Sequence, residues 1–227
     1  MGPDCCRTDY DALFDGRAAH RELSAYRRKG VAGTTARLLN AIRDSGGVAG
    51  ASVLDIGGGV GIIGAELLGA GAAALTDVDY SRAYLAAARS EMERRGYGDR
   101  ATFVHGDFVR VAGEIAPADV VTLDRVLCCY VDWVSLVDRS VERARRLYGL
   151  VYPVDRWWMR LSVGIVRGVT RLFGQVAPFR VHPERAVDAR IRAAGFEPIL
   201  EKRGFAWQTV LYRRTSGIAK PLPAGAD

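Results

Sequence analysis

Short apolar runs alternate with longer amphipathic segments along most of this chain. The apolar runs predict strands over Ser52–Ile56, Ala73–Val78, Ala101–His105, Asp119–Leu123, Arg146–Tyr152, Phe196–Arg203 and Phe205–Arg213. Apolar positions spaced three and four residues apart lie between the first five runs and predict helices over Val60–Gly69, Ser81–Arg95 and Trp133–Arg145. Strands that alternate with helices are typical of a parallel sheet with helices on both faces.

The two ends of the chain extend this α/β pattern. Two helices, about Ala12–Lys29 and Thr34–Asp44, are predicted before the first strand, and another over Pro183–Ala194 before the sixth. Gly204 alone separates the last two runs, which predicts an antiparallel hairpin. We therefore expect an α/β fold with a Rossmann-like, doubly wound seven-stranded sheet whose last strand is antiparallel.

The same pattern predicts a division of the chain into parts. A helical cap is expected over residues 1–45, and the sheet domain over residues 46–214. An insertion at about 154–180 interrupts that domain, and residues 215–227, with two prolines and two glycines, are expected to form a flexible tail.

Composition is that of an ordinary globular protein: 227 residues, 49% apolar and 26% charged. No apolar run approaches the roughly 20 residues that a membrane span needs. The first ten residues lack the pattern of a signal peptide, so a cytoplasmic location is expected. The cysteines form two adjacent pairs, Cys5-Cys6 and Cys128-Cys129, without the C-x-x-C spacing of zinc or redox sites, and the histidines are isolated, so no metal is expected.

The net charge of +6 is unevenly distributed along the chain. Residues 139–214 carry 16 basic side chains against six acidic ones, a net charge of +10, whereas the rest carries −4. Part of the excess lies in the insertion, where Arg156, Arg160, Arg167 and Arg171 fall within about 60° of one another on a helix. Apolar side chains cover much of its other side. Three roles remain open for this basic amphipathic helix: a covering helix, a lid over a substrate cleft, or a membrane-surface helix.

The strongest chemical signal is a glycine-rich turn in Ser52-Val-Leu-Asp-Ile-Gly-Gly-Gly-Val-Gly61. Glycines at the end of a buried strand let the backbone approach a ligand beside a helix N-terminus. The spacing also matches a dinucleotide fingerprint. However, Asp55 before the turn suits an ammonium group better than a pyrophosphate, and the chain has no Tyr-x-x-x-Lys pair for nicotinamide reduction.

Acidic residues follow the next two strands. Asp79 lies 18 residues after Gly61, where a carboxylate can accept both ribose hydroxyls. In Gly106-Asp107-Phe108, the carboxylate can accept a hydrogen bond from an adenine amino group while the aromatic ring covers the base. A nucleoside with a positively charged amino-acid moiety is therefore the expected ligand.

Together these motifs resemble the class I S-adenosylmethionine-dependent methyltransferases, from about Ser52 to Arg214. The resemblance implies S-adenosylmethionine as cofactor and a site at the carboxyl ends of the strands. The residues that it assigns to the cofactor are Asp55, Gly57, Gly58, Gly59 and Gly61 at the methionine end, Asp79 and Tyr80 at the ribose, Asp107 and Phe108 at the adenine, and Asp124 at the end of the fourth strand beside the methyl group.

The front of the chain is similar in layout to the magnesium-protoporphyrin O-methyltransferases and their ubiquinone-pathway relatives. The similarity rests on Tyr10–Phe14, Tyr26–Gly30 and Asp124–Tyr130, although Cys129 stands where that branch has a histidine. It implies that the first helices close over the cofactor, with Tyr26 and Lys29 as partners of its carboxylate.

The acceptor side of the site is less defined. His182 and Tyr130 are the candidate bases. The candidate substrate contacts are Cys128, Trp157, Trp158 and Met159. The exit of the fourth strand, Asp124–Leu127, lacks the prolines of adenine-modifying enzymes, and the Cys128-Cys129 pair lacks the proline of cytosine-C5 enzymes.

We therefore expect methyl transfer to a small, aromatic or lipophilic acceptor, at oxygen or nitrogen, with nucleic acid not expected as a partner. Two alternatives remain. One is an RNA-modifying methyltransferase recruited by the basic final third. The other is a non-catalytic, cofactor-binding scaffold at a partner protein or a membrane surface.

Overall fold

The computed structural model describes residues 15–172 and 179–215, and a seven-stranded sheet forms its centre. The predicted cysteine pair Cys5-Cys6, the Tyr10–Phe14 motif, residues 173–178 of the insertion and residues 216–227 of the tail lie outside the described residues. The strands are β1 (Ser52–Ile56), β2 (Ala74–Asp79), β3 (Ala101–His105), β4 (Ala118–Asp124), β5 (Ala144–Pro153), β6 (Phe196–Arg203) and β7 (Trp207–Arg214).

The sheet order is β3-β2-β1-β4-β5-β7-β6. Neighbouring strands from β3 to β5 are parallel, and β7 runs antiparallel between β5 and β6. The predicted doubly wound sheet with a reversed last strand is therefore confirmed. Because the strand order reverses between β1 and β4, their carboxyl ends flank the crevice in which open α/β sheets bind ligands.

Helices cover both faces of the sheet. They are α1 (Gly16–Lys29), α2 (Gly33–Asp44), α3 (Ile62–Gly69), α4 (Arg82–Arg94), α5 (Phe108–Val111), α6 (Trp133–Glu142), α7 (Trp157–Leu172) and α8 (Glu184–Ala193). The predicted helix over Trp133–Arg145 is too long, since the chain already pairs with β4 at Ala144. The predicted last strand begins too early, because the Gly204 N–H donates to the carbonyl of Trp207 (2.8 Å) and closes a turn.

Two apolar layers, one on each face of the sheet, form most of the core. On one face, α6 and α8 pack against the sheet, with Tyr148, Phe196 and Tyr212 among the largest buried side chains. On the other face, α2, α3 and α4 contribute buried residues such as Leu38 and Ile42. Leu38 packs over Gly149 of β5, where a Cβ would lie only 2.7 Å from its side chain. Helix α2 thus shares the core of the sheet.

Candidate functional site

The glycine turn after β1 has a backbone that ordinary side chains rarely adopt. Gly57, Gly59 and Gly61 have φ angles of 64°, 61° and 78°, in the left-handed region that favours glycine. A Cβ on Gly57 would also overlap the Val126 side chain. The turn therefore depends on glycine for both its conformation and its close packing, and it leaves backbone N–H groups at the start of α3.

The carboxylate of Asp79, at the end of β2, holds this turn in place. Its Oδ2 accepts a hydrogen bond from the N–H of Gly59 (3.0 Å), and its Oδ1 accepts one from the N–H of Ser81 (2.7 Å). Burial raises the pKa of Asp79, which the backbone donors partly oppose. A carboxylate has about four lone-pair sites, so Asp79 can still accept a hydrogen bond from a ligand hydroxyl beside its backbone donors.

Two further carboxyl groups lie buried in register beneath the turn. Asp55 and Asp77 face each other across β1 and β2 and are 1% and 0% exposed. Oδ2 of Asp55 and both side-chain oxygens of Asp77 have no hydrogen-bond partner of normal geometry. Burial raises the pKa of Asp55 to about 7, and burial together with repulsion from Asp55 raises that of Asp77 well above its usual range. This excess of acidic groups favours a cationic ligand.

The turn after β3 supplies a third acidic group beside an aromatic ring. Asp107 caps α5 by accepting from the N–H of Val109 (3.0 Å), and it also accepts from the Tyr130 hydroxyl (2.7 Å). Phe108 is buried next to it, whereas Tyr80 is 38% exposed at the end of β2. The predicted base Tyr130 thus has its hydroxyl bonded to a predicted cofactor residue.

The exit of β4 is organised around Asp124. The Thr35 hydroxyl of α2 donates to Asp124 Oδ2 and accepts from the Arg125 guanidinium (3.0 Å). Arg125 has a φ of 62°, unusual for a residue with a side chain, and its guanidinium lies 5.9 Å from the Trp207 ring centre. Backbone strain of this kind costs roughly 1–3 kcal/mol and clusters at functional sites.

These residues enclose a cavity of about 430 Å³ at the carboxyl ends of β1, β2 and β4. The structure brings most of the predicted cofactor residues to its wall. They are Asp55, Gly57, Gly58, Gly59, Asp79, Tyr80, Asp107, Phe108 and Asp124, together with the candidate base Tyr130. Gly61 is the N-terminal cap of α3.

Sequence reasoning missed a second group of cavity residues from distant segments. They include Glu22, Thr35, Arg125, Cys129, Phe179 and Trp207. Glu22 and Thr35 come from α1 and α2, which agrees with first helices that close over the site. The positive φ of Arg125 leaves no trace in residue type, and Phe179 and Trp207 carry no motif, so no sequence signal was available for them.

Tyr26 and Lys29 do not reach this cavity. The Tyr26 hydroxyl donates to Glu66 Oε1 (2.7 Å) and accepts from Arg95 (2.6 Å), while Lys29 is exposed at the end of α1. The predicted contact of both residues with the cofactor carboxylate is therefore not supported. Tyr26 instead fixes α1 to α3 and α4, because an amphipathic helix points its buried tyrosine at the nearest polar partners.

Of the two adjacent cysteines, the one that faces the cavity is Cys129. Cys128, the predicted substrate contact, is fully buried and its thiol donates to the Arg125 carbonyl (3.2 Å). Contact with the Cys129 sulfur (3.7 Å) and burial raise the pKa of the Cys128 thiol far above its usual range. Cys128 is thus a packed thiol that does not line the cavity, and the prediction that it contacts substrate is corrected.

The predicted aromatic wall on α7 does not line this cavity either. Trp157 is 77% exposed, Trp158 stacks on Phe205 with ring centres 4.4 Å apart, and Met159 is half-buried. An α-helix turns 100° per residue, so three consecutive side chains cannot face one pocket. The prediction that all three contact substrate is corrected accordingly.

His182, the other candidate base, lies in a separate cleft of about 640 Å³ between α7 and the segments at 131–133 and 180–182. It is 7% exposed, and its ring centre lies 5.8 Å from that of Trp133. Burial lowers its pKa. Its position in a different cleft does not support a role as a base at the cofactor cavity.

Within the described residues, no group of three or more His, Cys, Asp or Glu side chains is arranged to hold a metal ion. In the same part of the chain, no helix has the length and apolar character needed to cross a bilayer.

Comparison with known proteins gives one family match and several similar structures. Residues 53–148 match the family model of a methyltransferase domain, whereas no curated protein sequence matches the chain. Magnesium protoporphyrin IX methyltransferase from Synechocystis PCC 6803, solved with bound S-adenosylhomocysteine, is 20% identical with a TM-score of 0.66, covering 90% of this chain and 87% of that one.

Two other solved structures share the fold. An O-methyltransferase family protein from Burkholderia thailandensis is 19% identical with a TM-score of 0.67, covering 92% of this chain and 63% of that one. A putative RNA methyltransferase from Pyrococcus horikoshii is 12% identical with a TM-score of 0.57, covering 80% of this chain and 82% of that one. The domain match and the shared fold both agree with a ligand-binding site at the position of this cavity, at the carboxyl ends of the strands.

Proposed function

We propose, from the premise that this chain is an S-adenosylmethionine-dependent methyltransferase of the class I fold, that its acceptor is a small aromatic or lipophilic molecule methylated at oxygen or nitrogen. The observation that carries this proposal is the composition of the cavity wall. Phe179, Trp207 and Tyr130 line the same space as the glycine turn and Asp79. Planar apolar acceptors pack well between aromatic rings.

The residues of the turn and its carboxylates fit the cofactor. S-Adenosylmethionine supplies an electrophilic methyl group on a sulfonium cation, next to a methionine ammonium group. The buried and unpartnered Asp55 Oδ2 can accept from the ammonium group, Asp79 from the ribose hydroxyls, and Asp107 from the adenine amino group. Gly57, Gly58 and Gly59 line the cavity, so the ligand can approach the backbone of the turn and the N-terminus of α3 closely.

The acceptor half of the cavity needs little covalent chemistry from the protein. Because the methyl donor is already electrophilic, the chain has to align the acceptor and exclude water. Thr35, Arg125 and Trp207 form one connected wall beside Asp124, suited to orienting a polar group of the acceptor. Cys129 and Phe179 form other parts of the wall.

A porphyrin-sized acceptor is one form of this proposal. Among the similar structures, one is named as a magnesium protoporphyrin IX methyltransferase. A planar aromatic ring system of that kind exceeds a cavity of about 430 Å³ that also holds the cofactor. We therefore favour an acceptor of one to three rings, with any larger part extending out of the cavity.

RNA is the second candidate acceptor, favoured by the net charge of +10 in residues 139–214. Phosphate attraction would make such binding fall steeply with salt. An oligoribonucleotide that shows no retardation at low ionic strength would remove this candidate.

Two measurements test the proposal. Titration calorimetry should show binding of S-adenosylhomocysteine; an absence of binding would refute the cofactor assignment. Incubation with S-adenosylmethionine and a panel of phenols, aromatic amines, aliphatic alcohols and oligoribonucleotides, followed by mass detection, should give a mass increase of one methyl group on aromatic members. Methylation confined to the oligoribonucleotides or aliphatic alcohols would contradict the proposed acceptor class.

A further inference from the structure

A basic cleft lies next to the cofactor cavity, and we call it the arginine cleft. It encloses about 640 Å³ between one face of α7 and the segments at 131–133 and 180–182. Arg160, Arg167 and Arg171 approach it from α7, and Arg180 approaches it from the opposite segment. Four guanidinium groups around one cleft make a strong positive potential.

Three of these four arginines form no ion pair with any residue that the structure describes. Asp155 neutralises Arg160 through two hydrogen bonds, one of them at 2.8 Å. Within the described residues, no carboxylate lies within 4 Å of Arg167, Arg171 or Arg180. Burial and the nearby positive charges of Arg180 and Arg171 lower the pKa of Arg167. Arg167 and Arg180 are half-buried and Arg171 is exposed. Uncompensated charge of one sign that is partly buried, as at Arg167 and Arg180, is costly in a folded protein unless a ligand neutralises it.

His182 gives a second, independent sign of a ligand. The side chain lines the cleft and is 7% exposed, and its Nε2 is buried with no hydrogen-bond partner. The other ring nitrogen bonds to the backbone carbonyls of Leu127 and Tyr130, which fixes the ring. Buried polar atoms are almost always paired in native proteins. Because burial lowers the pKa of His182 and its other nitrogen donates to the backbone, the unpaired Nε2 is an acceptor, which points to a hydroxyl or N–H group of a partner from outside the chain, beside the anionic group that the arginines bind.

The face of α7 that lines the cleft leaves room for such a partner. Gly164 and Gly168 lie one turn apart on that face, and a Cβ on either would meet no atom within 4 Å. Apolar contact is available on the opposite wall, from Val131 and Trp133. The cleft can therefore accommodate an anionic group together with part of the skeleton that carries it.

The cleft and the cofactor cavity are adjacent along two stretches of chain. Tyr130 lines the cofactor cavity and Val131 the cleft; in the same way, Phe179 lines the cavity and Arg180 the cleft. One acceptor molecule can thus place its aromatic part near the cofactor and a charged substituent between the arginines.

We propose that the arginine cleft is the acceptor's anion subsite, in which Arg167, Arg171 and Arg180 bind a carboxylate or phosphate group of an aromatic acceptor. Guanidinium groups bind both oxyanions by paired, charge-assisted hydrogen bonds. This inference rests on the proposed function for the aromatic part of the acceptor. It makes the substrate class narrower: an aromatic acid or an aromatic phosphate ester rather than a neutral lipophile.

Binding of matched probes to the full chain saturated with S-adenosylhomocysteine tests the proposal. The probes are 2-naphthoate, 2-naphthyl phosphate and the neutral 2-naphthylmethanol, and the affinity of each is measured by calorimetry. We expect at least one anionic probe to bind about tenfold more tightly than the alcohol. The double variant Arg167→Gln/Arg180→Gln should abolish that preference. The probe that binds more tightly distinguishes a carboxylate from a phosphate acceptor.

Two variants serve as controls for this experiment. Arg156→Gln removes the same kind of charge from an exposed position just before α7 that does not line the cleft, so it should keep the full preference. Gly168→Leu places a larger side chain on the cleft wall, at a position where the Cβ meets no protein atom within 4 Å, so it should weaken the binding of the anionic probes. The affinity for S-adenosylhomocysteine should stay within twofold in every variant.

The outcomes separate this proposal from the one on which it rests. Failure to bind S-adenosylhomocysteine refutes the proposed function. Normal S-adenosylhomocysteine binding with equal affinities for the three probes, or an equal loss of preference in Arg156→Gln, overturns the anion subsite alone. Tighter binding of an oligouridine than of either anionic probe, lost in Arg167→Gln/Arg180→Gln, also overturns it in favour of an RNA backbone site.

Discussion

Asp79 is the residue on which the cofactor half of the cavity depends most, because it bonds the glycine turn and faces the cavity at once. Its two oxygens accept from the Gly59 and Ser81 N–H groups. Replacement by alanine removes the proposed ribose contact and also frees the turn. We expect Asp79→Ala to raise the dissociation constant of S-adenosylhomocysteine by about 10–100-fold, the usual effect of losing charged hydrogen bonds.

Calorimetry measures this effect, with Asp99→Ala, a surface aspartate between α4 and β3, as the matched control. An unchanged dissociation constant in Asp79→Ala would exclude this carboxylate from the site.

Asp77 makes a different prediction, since its burial gives it a raised pKa. A carboxyl group whose pKa is higher in the folded than in the unfolded state stabilises the fold fully at low pH. That contribution is lost as the pH rises from the unfolded value towards the folded one. Asp55, with its pKa raised to about 7, behaves in the same way. Each group should lower the unfolding free energy by up to about 1.4 kcal/mol per pH unit above pH ~4.

The unfolding free energy of Asp77→Asn should therefore depend less on pH between pH 5 and 7. The difference in unfolding free energy between this variant and the unsubstituted chain should shift in favour of the variant as the pH rises. Urea unfolding followed by circular dichroism at both pH values measures this difference. Asp99→Asn should show the original slope. If Asp77→Asn keeps that slope as well, Asp77 is not the buried acid that the geometry indicates.

At this scale the sequence predicted most of the cofactor wall and that the first helices close over it, but not which residues complete the wall. Asp55, Asp79 and Asp107 each follow a strand, and strand ends meet at one edge of a parallel sheet, so their convergence was predictable. Thr35, Arg125 and Trp207 converge only because α2 packs on β5 and β7, the two strands that follow β4 in the sheet. Nothing in the local sequence around them specifies that packing.

The shape of the glycine turn after β1 depends on the absence of a Cβ atom at Gly57. Gly57→Ala would place a methyl group into Val126 at a φ of 64°. Strain and overlap together should cost about 2–4 kcal/mol of unfolding free energy, with loss of S-adenosylhomocysteine binding. Chemical unfolding and calorimetry on the same samples measure both effects.

Gly113→Ala is the matched control for the turn, because a Cβ there meets no atom within 4 Å and the residue lacks a positive φ. Equal stability of the two variants would mean that the turn relaxes without cost. In that case the close packing of Gly57 against Val126 would not be needed for folding.

Helix α7 is attached to the domain in part by one aromatic stack. Trp158 lies on Phe205, in the turn between β6 and β7, with ring centres 4.4 Å apart and an interplanar angle of 21°. Stacked pairs contribute about 0.5–1.5 kcal/mol beyond their buried area. Trp158→Ala should therefore loosen α7 and speed limited proteolysis within residues 157–172 several-fold.

Trp157→Ala, at the neighbouring and 77% exposed position, should be cleaved at the original rate. Similar cleavage rates in the two variants would show that the stack with Phe205 does not hold α7.

The sequence predicted the helix and its basic stripe. It did not predict that arginines would line a cleft while Leu161, Ile165 and Leu172 remain more than half exposed.

Across the whole molecule, two sets of buried acids act on stability in opposite pH ranges. Glu91 is fully buried and accepts hydrogen bonds from Arg94, Arg95 and Arg27, so that α1 is tied to α4. The hydrogen bond from Arg94, with those from the other two arginines, lowers the pKa of Glu91 to about 2. A depressed pKa gives stability that is present above the unfolded value of 4.5 and is lost as the pH falls towards 2.

We therefore expect maximum stability between about pH 4 and 6, with a loss on the acid side from Glu91 and on the alkaline side from Asp55 and Asp77.

Glu91→Gln should lower the unfolding free energy at pH 5.5 by about 1–2 kcal/mol, since the partner arginines are half-exposed and screened. It should also reduce the slope of unfolding free energy against pH on the acid side. Glu93→Gln, at an exposed neighbouring position on α4, should change neither the unfolding free energy at pH 5.5 nor the slope on the acid side. Thermal unfolding from pH 3 to 8 measures the profile; an acid side of unchanged slope in Glu91→Gln would contradict it.

The order of helices and strands and the reversed last strand were determined by the sequence itself, which also predicts the class of cofactor. These depend on periodicity, glycine positions and acidic residues at strand ends, which are local along the chain. Tertiary structure alone decided that Cys129 rather than Cys128 faces the cavity, that Tyr26 bonds to Glu66, and that His182 lies in the arginine cleft. Such outcomes depend on which side chains from distant segments reach the same space, and backbone direction and packing fix that only when the whole chain has folded.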